Sequence, residues 1–269
     1  RRIAISMALL VVLSLLSLPY IQTNSYLLGD LPERSRLRED FHFFETSFSG
    51  VRPFEMAIEP QGNRNIFDKD VLAATMKLTH YLENTHGVQS LYSPAKLIGA
   101  LHQAELASDS LILPDDGFVL EGVVERLRQM EDRLFFKLWN DEGNYGRISG
   151  RIRDTGSDSL LAEIQHIKAW IAKNISSEIV QFRPTGSVLL VDKNHEYLRK
   201  NLFYSLGFAF ILVACIFAWL FRDWRMVMVS IIPNLIPMLI AGAALAVTGI
   251  ELKAVTSVIF TVSFGIAVD

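Results

Sequence analysis

Cysteine is almost absent from this chain. Cys215 stands alone, so no disulfide can close within it, and cysteine usage says nothing about redox compartment. Histidine is sparse as well. His42, His80, His86, His102, His166 and His195 never fall at a metal-ligand spacing, and each reads as an ordinary surface or core residue. Neither a metal nor an organic cofactor is expected. An excess of one charge is missing too. The 26 Lys and Arg against 29 Asp and Glu leave a net charge of −3 with no basic block, which excludes a nucleic-acid partner. No nucleophile elbow, H-E-x-x-H, Walker or dinucleotide-binding pattern occurs, so the chain does not read as an enzyme. Asp115-Asp116 precedes a helical pattern, and N-capping accounts for it without chemistry.

Apolar residues are what the chain has in quantity. Half of its residues are hydrophobic and 20% are charged, with a mean hydropathy of +0.27. Four stretches read as membrane spans at about 20 residues each. The domain reading that follows is a first transmembrane helix over 1–21, an extracytoplasmic domain over 22–201, a second helix over 202–221, a third over 226–250 and a fourth, truncated, over 254–269. The first run, Ile3 to Tyr20, lies behind Arg1-Arg2. It ends Leu18-Pro19-Tyr20 without a small-residue cleavage site, so it reads as a retained anchor rather than a signal peptide. Arg1, Arg2, Arg222 and Arg225 flank the spans on one side, and only Lys253 lies in the opposite tight loop. The positive-inside rule then places residues 22–201 outside a bacterial cytoplasmic (inner) membrane, as part of a multi-pass protein.

Within 22–201, helical and strand patterns alternate. Leu31-Pro32-Glu33 opens a helix carrying Phe41, Phe44 and Phe48 at helical spacing. Val51 to Ile58 reads as a strand, Asp68 to Asn84 as an amphipathic helix, Gly87 to Tyr92 as a strand and Pro94 to Leu106 as a helix. A second unit follows, with helix Phe118 to Met130, strand Leu134 to Trp139, strand Tyr145 to Ile152, helix Ser159 to Asn174 and strand Glu178 to Phe182. Two β-α-β units in succession predict α+β subdomains of the ferredoxin-like kind over about 30–110 and 117–190. The fold class expected is therefore an α-helical membrane bundle plus an α+β extracytoplasmic domain.

Asp269 ends an otherwise uncharged hydrophobic run. At membrane depth a carboxylate costs about 2.5–3.5 kcal/mol and is retained where it handles protons, ions or a partner charge. Ser257, Thr261 and Gly265 precede it at intervals of four and trace one drifting helical stripe. Small and hydroxyl-bearing side chains on such a stripe permit close helix approach or line a thin wet path. Burial would raise the carboxyl's pKa and let it take up and release a proton. Pro233, Asn234 and Pro237 form a second constellation, a kinked and closely packed segment whose freed carbonyls need neighbours.

Four motifs, in order, carry a resemblance to a known family: Phe221-Arg222-Asp223-Trp224-Arg225, Ile232-Pro233-Asn234-Leu235-Ile236-Pro237, Thr248-Gly249-Ile250-Glu251-Leu252-Lys253 and Ser263-Phe264-Gly265-Ile266-Ala267-Val268-Asp269. Gly87-Val88, Leu91-Tyr92-Ser93 and Thr185-Gly186 agree with it. The chain resembles the resistance–nodulation–division (RND) superfamily, nearer its MMPL-like lipid and hydrophobe exporter branch. The resemblance implies a secondary active transporter that moves lipids or other hydrophobic molecules by proton antiport. Protons are the coupling ion, Asp269 matches the proton-relay carboxylate, and the external domain is porter-like. Implied partners are a hydrophobic or lipid substrate, membrane lipids and the remaining transmembrane helices of a longer parent, with a homo-oligomer left open. Family members have six spans in each of two halves, so the chain is expected to be part of one half, with the wording around Asp269 leaning to the second. It is not expected to transport alone. The competing expectations are a non-transporting, sterol-sensing-like lipid sensor or scaffold, and an accessory of protein translocation.

Overall fold

The computed structural model describes residues 2–17, 34–48, 50–106, 111–129 and 137–249, with isolated positions between 20 and 32 and at 258 and 262. In chain order the elements are α1 (Arg2–Ser17), α2 (Arg36–Ser47), β1 (Arg52–Pro60), α3 (Lys69–His86), β2 (Gln89–Tyr92), α4 (Pro94–Leu106), α5 (Gly117–Gln129), β3 (Gly146–Ile152), α6 (Ser157–Asn174), β4 (Val180–Thr185), α7 (Ser187–Phe221) and α8 (Trp224–Thr248). They fall into two compact units. One comprises residues 1–29, 156–158 and 191–269, and the other 30–155 and 159–190.

The second unit is built on one four-stranded sheet, ordered β2-β3-β1-β4. Every pairing is antiparallel. β1 shows why a sheet forms here. Arg52, Phe54, Met56 and Ile58 are buried while the residues between them are not, the period of two that pleating imposes. The buried side chains meet Ile148 and Ile152 of β3, Val180 and Phe182 of β4, Val71, Leu78 and Leu82 of α3, and Leu160, Ile164 and Ile167 of α6. The strands of the two expected subdomains thus interleave in one sheet over one core. A second cluster, with Leu72 from α3, Ala95 and Ile98 from α4, and Leu120, Val123 and Leu127 from α5, lies beside it.

Local chemistry sets the boundaries. α3 ends at Gly87, whose φ of +60° is left-handed and whose N–H donates to Leu82 O; glycine adopts this geometry without a Cβ penalty. The chain then enters β2 at once. α2 begins at Arg36 rather than beside Pro32, because the Ser35 hydroxyl accepts from Arg38 N at 3.3 Å and caps it there. None of its described residues is buried, and Phe43, Phe44 and Phe48 all face solvent. The strand expected from Glu178 begins at Val180 instead, because Ser176 organises a turn. Its carbonyl accepts from Ile179 N at 3.2 Å and its hydroxyl from Glu178 N at 3.3 Å. β4 then runs on through Pro184 to Thr185, which its place at the sheet edge allows.

In the first unit, α1 packs against α8. Asp223 caps α8, its side chain accepting from Arg225 N, and Gly249 closes the helix at φ +69°. The expected α-helical membrane bundle, and with it the membrane and multi-pass reading, is corrected here. Among the described residues, no helix is long and apolar enough to cross a membrane. α1 has 16 residues, a rise of about 24 Å against a hydrocarbon core of about 30 Å. α7 carries the polar stretch Asp192 to Lys200 in its first half. The segment expected as a fourth span, 254–269, lies outside the described residues except for positions 258 and 262. The architecture among the described residues is an antiparallel α+β sheet unit accompanied by helices.

Candidate functional site

Asp269, Ser257, Thr261 and Gly265 lie outside the described residues, so the stripe leading to Asp269 has no geometry to report. Pro233 and Pro237 are both inside α8 and both exposed, and the Asn234 side chain lies outside the described residues. The helix stays continuous through both prolines.

What the structure brings together is elsewhere, on the outer face of α3. The inner face of that helix carries Val71, Leu72, Thr75, Leu78, Thr79 and Leu82 into the core. The opposite stripe, Lys69, Ala73, Met76, Lys77, His80 and Tyr81, borders a groove of about 760 Å³. Residues 111–115 form one bank, through Leu111, Ile112 and Leu113, and Trp170 of α6 contributes to the lining. Its lining on α3 extends to Thr85, so from Lys69 the groove follows about 24 Å of helix. Leu111 and Ile112 are exposed large apolar side chains, and an apolar groove of this size is ample for a small ligand.

The aromatic wall is held in place. Tyr81 and Trp170 stack with ring centroids 3.9 Å apart and planes 4° apart. The Tyr81 hydroxyl is 3.0 Å from His86 Nε2, and His86 Nδ1 is 2.8 Å from Glu163 Oε1. With Nδ1–H donating to the Glu163 carboxylate, Nε2 is left facing the Tyr81 hydroxyl. This carboxylate–imidazole–phenol chain ties the end of α3 to α6. Tyr81→Phe, which retains the ring and removes the hydrogen bond, is expected to lower stability by about 1 kcal/mol, as measured by urea unfolding.

Charge is distributed unevenly along the groove. Lys69 Nζ pairs with Asp115 Oδ1 at 3.1 Å and also donates to Asp115 O at 2.8 Å. Lys77 has no carboxylate partner among the described residues. Its ammonium donates to Asn174 O at 3.0 Å and lies 5.8 Å from the centroid of the Trp170 ring. The groove is therefore apolar along the bank formed by Leu111 to Pro114 and polar at Lys69, Lys77, His80, Asn84 and Thr85, and among the described residues no carboxylate pairs with Lys77.

Sequence alone does not show this site, since His86 reads there as an ordinary surface or core residue. Tyr81 on α3 and Trp170 on α6 are large aromatics on amphipathic helices, and both, like Met76, are only partly buried against the core clusters. Against known proteins, the chain matches no family model, and no curated protein is significantly similar to it.

Proposed function

We propose that the chain is part of an RND-type, proton-driven exporter of lipids or other hydrophobic molecules, and that its α+β unit provides a surface where such molecules are held. The observation that carries the reading is the groove on α3. It sets Leu111 and Ile112 beside a prearranged Tyr81–Trp170 wall in a groove of about 760 Å³, a size that fits an apolar ligand. The ordered run of motifs ending at Asp269 supports the transporter side of the reading.

Asp269 is assigned the proton relay in this proposal. Efflux of a fluorescent lipid analogue by the full-length parent, driven by an imposed proton gradient, tests it. With Asp269→Asn, which keeps size and polarity but cannot cycle a proton, the gradient-driven rate is expected to fall by more than about 10-fold, with expression unchanged. Equal rates from the two forms would remove the relay role. Retention of lipid binding with no efflux from either would move the reading to a lipid sensor.

A further inference from the structure

We infer that the groove on α3 binds a long-chain carboxylate, in its free monomeric form, with the chain against Met76, Leu111 and Ile112 and the head at Lys77. The inference deepens the proposed function and rests on its reading of the groove as a hydrophobe site.

Shape indicates a single alkyl chain. Lys77 lies midway between Lys69 and Thr85, so from the head the groove continues for about 12 Å of helix toward Lys69, bordered by α3 and the segment 111–115. A long alkyl chain laid along it covers Leu111 and Ile112, which are otherwise 39% and 56% exposed. Affinity therefore grows with each methylene that the groove covers.

Charge selects the head group. Lys69 is neutralised by Asp115, whereas Lys77 has only a carbonyl and a ring as partners among the described residues. One uncompensated ammonium matches a monoanion. A phosphate dianion is normally met by a guanidinium fork or several convergent donors, and no arginine lines the groove. The wall beside Lys77 needs no rearrangement to receive the ligand. Glu163 and His86 already fix the Tyr81 hydroxyl, and Tyr81 is already stacked on Trp170. A site organised in advance loses less on binding.

Titration of the full purified chain with palmitate below its micelle concentration, followed by tryptophan fluorescence, tests the inference beside 1-hexadecanol and hexadecyl phosphate as matched-chain probes. Palmitate is expected to saturate and to bind about 10-fold tighter than the alcohol. Lys77→Gln, at an exposed position, should bring palmitate to the level of the alcohol and leave the alcohol unchanged. Ile112→Asp should abolish binding of both. Equal binding of acid and alcohol, both lost in Ile112→Asp, overturns the carboxylate and leaves hydrophobe holding intact. A preference of 10-fold or more for the phosphate overturns it in favour of a phospholipid-type head. No binding of any probe, or binding that survives Ile112→Asp, overturns the site itself.

Discussion

Asp154→Ala is expected to destabilise the α+β unit by about 3–5 kcal/mol, because it removes the carboxylate paired with a guanidinium buried in the interior. Arg52 occupies a core-facing position at the start of β1 and is 2% exposed. Its ion-pair partner is Asp154, itself 9% exposed and just beyond the end of β3. Taking both charges out of water is unfavourable, and their attraction offsets it only while both are present. The Asp154 backbone N–H also donates to Glu45 Oε1 of α2 at 2.9 Å, so the carboxylate sits where α2 meets the end of the sheet. Replacing both residues together, Arg52→Met with Asp154→Ala, should recover most of the loss. Urea unfolding of the two single variants and the double variant gives the comparison, and a single-variant effect below about 1 kcal/mol would assign the pair a surface-like role.

Gly50→Ala is the second large effect. Gly50 has φ of +132°, a region that residues with a side chain rarely adopt. A Cβ built there would lie 2.5 Å from the carbonyl carbon and oxygen of Ile152 and 2.9 Å from Arg153 N. All three are backbone atoms, so no side chain can swing aside, and the end of β3 would have to move away from the entry to β1. Backbone strain of about 1–3 kcal/mol and overpacking of about 1–3 kcal/mol act together. The expected loss is about 2–6 kcal/mol, read as a lower urea midpoint. Gly62→Ala is the control. Its φ is also positive, at +69°, but the nearest atom to a Cβ is an Arg64 side-chain nitrogen 3.8 Å away, so strain alone is lost there and the effect should be smaller.

The elements were legible where local periodicity is strong. Val71, Leu78 and Leu82 mark the inner face of α3 at helical spacing, and Phe54, Met56 and Ile58 mark the inner face of β1 at a period of two. How the strands join was not. Pairing Met56 with Ile148 needs information from positions that no window spans, and two consecutive β-α-β patterns fit two separate sheets equally well. The groove stayed hidden for a related reason. Its banks come from three separated segments, 69–85, 111–115 and Trp170, and only the folded sheet brings α3 and α6 side by side. Hydrophobic runs misled in the other direction. Composition makes residues 1–21 and 226–250 look like spans, whereas among the described residues no helix reaches the length and unbroken apolar content a crossing needs.

The strand order also dictates when this unit can come into being as it leaves the ribosome. β1 and β2, both within the first hundred residues, are not neighbours, and β3 lies between them. Until Gly146 to Ile152 has been synthesised, neither early strand has a described partner, and β1 gains its second only when Val180 to Thr185 emerges. Its inward side chains Phe54, Met56 and Ile58 have only α3 to pack against through that interval, without Ile148 and Ile152 of β3, Leu160, Ile164 and Ile167 of α6 or Val180 and Phe182 of β4. Such late, long-range pairing slows folding and prolongs the exposure of sticky strands. Nascent chains stalled between β2 and β3 should therefore be captured by holding chaperones and cut readily by protease, and chains extended past β4 should escape both.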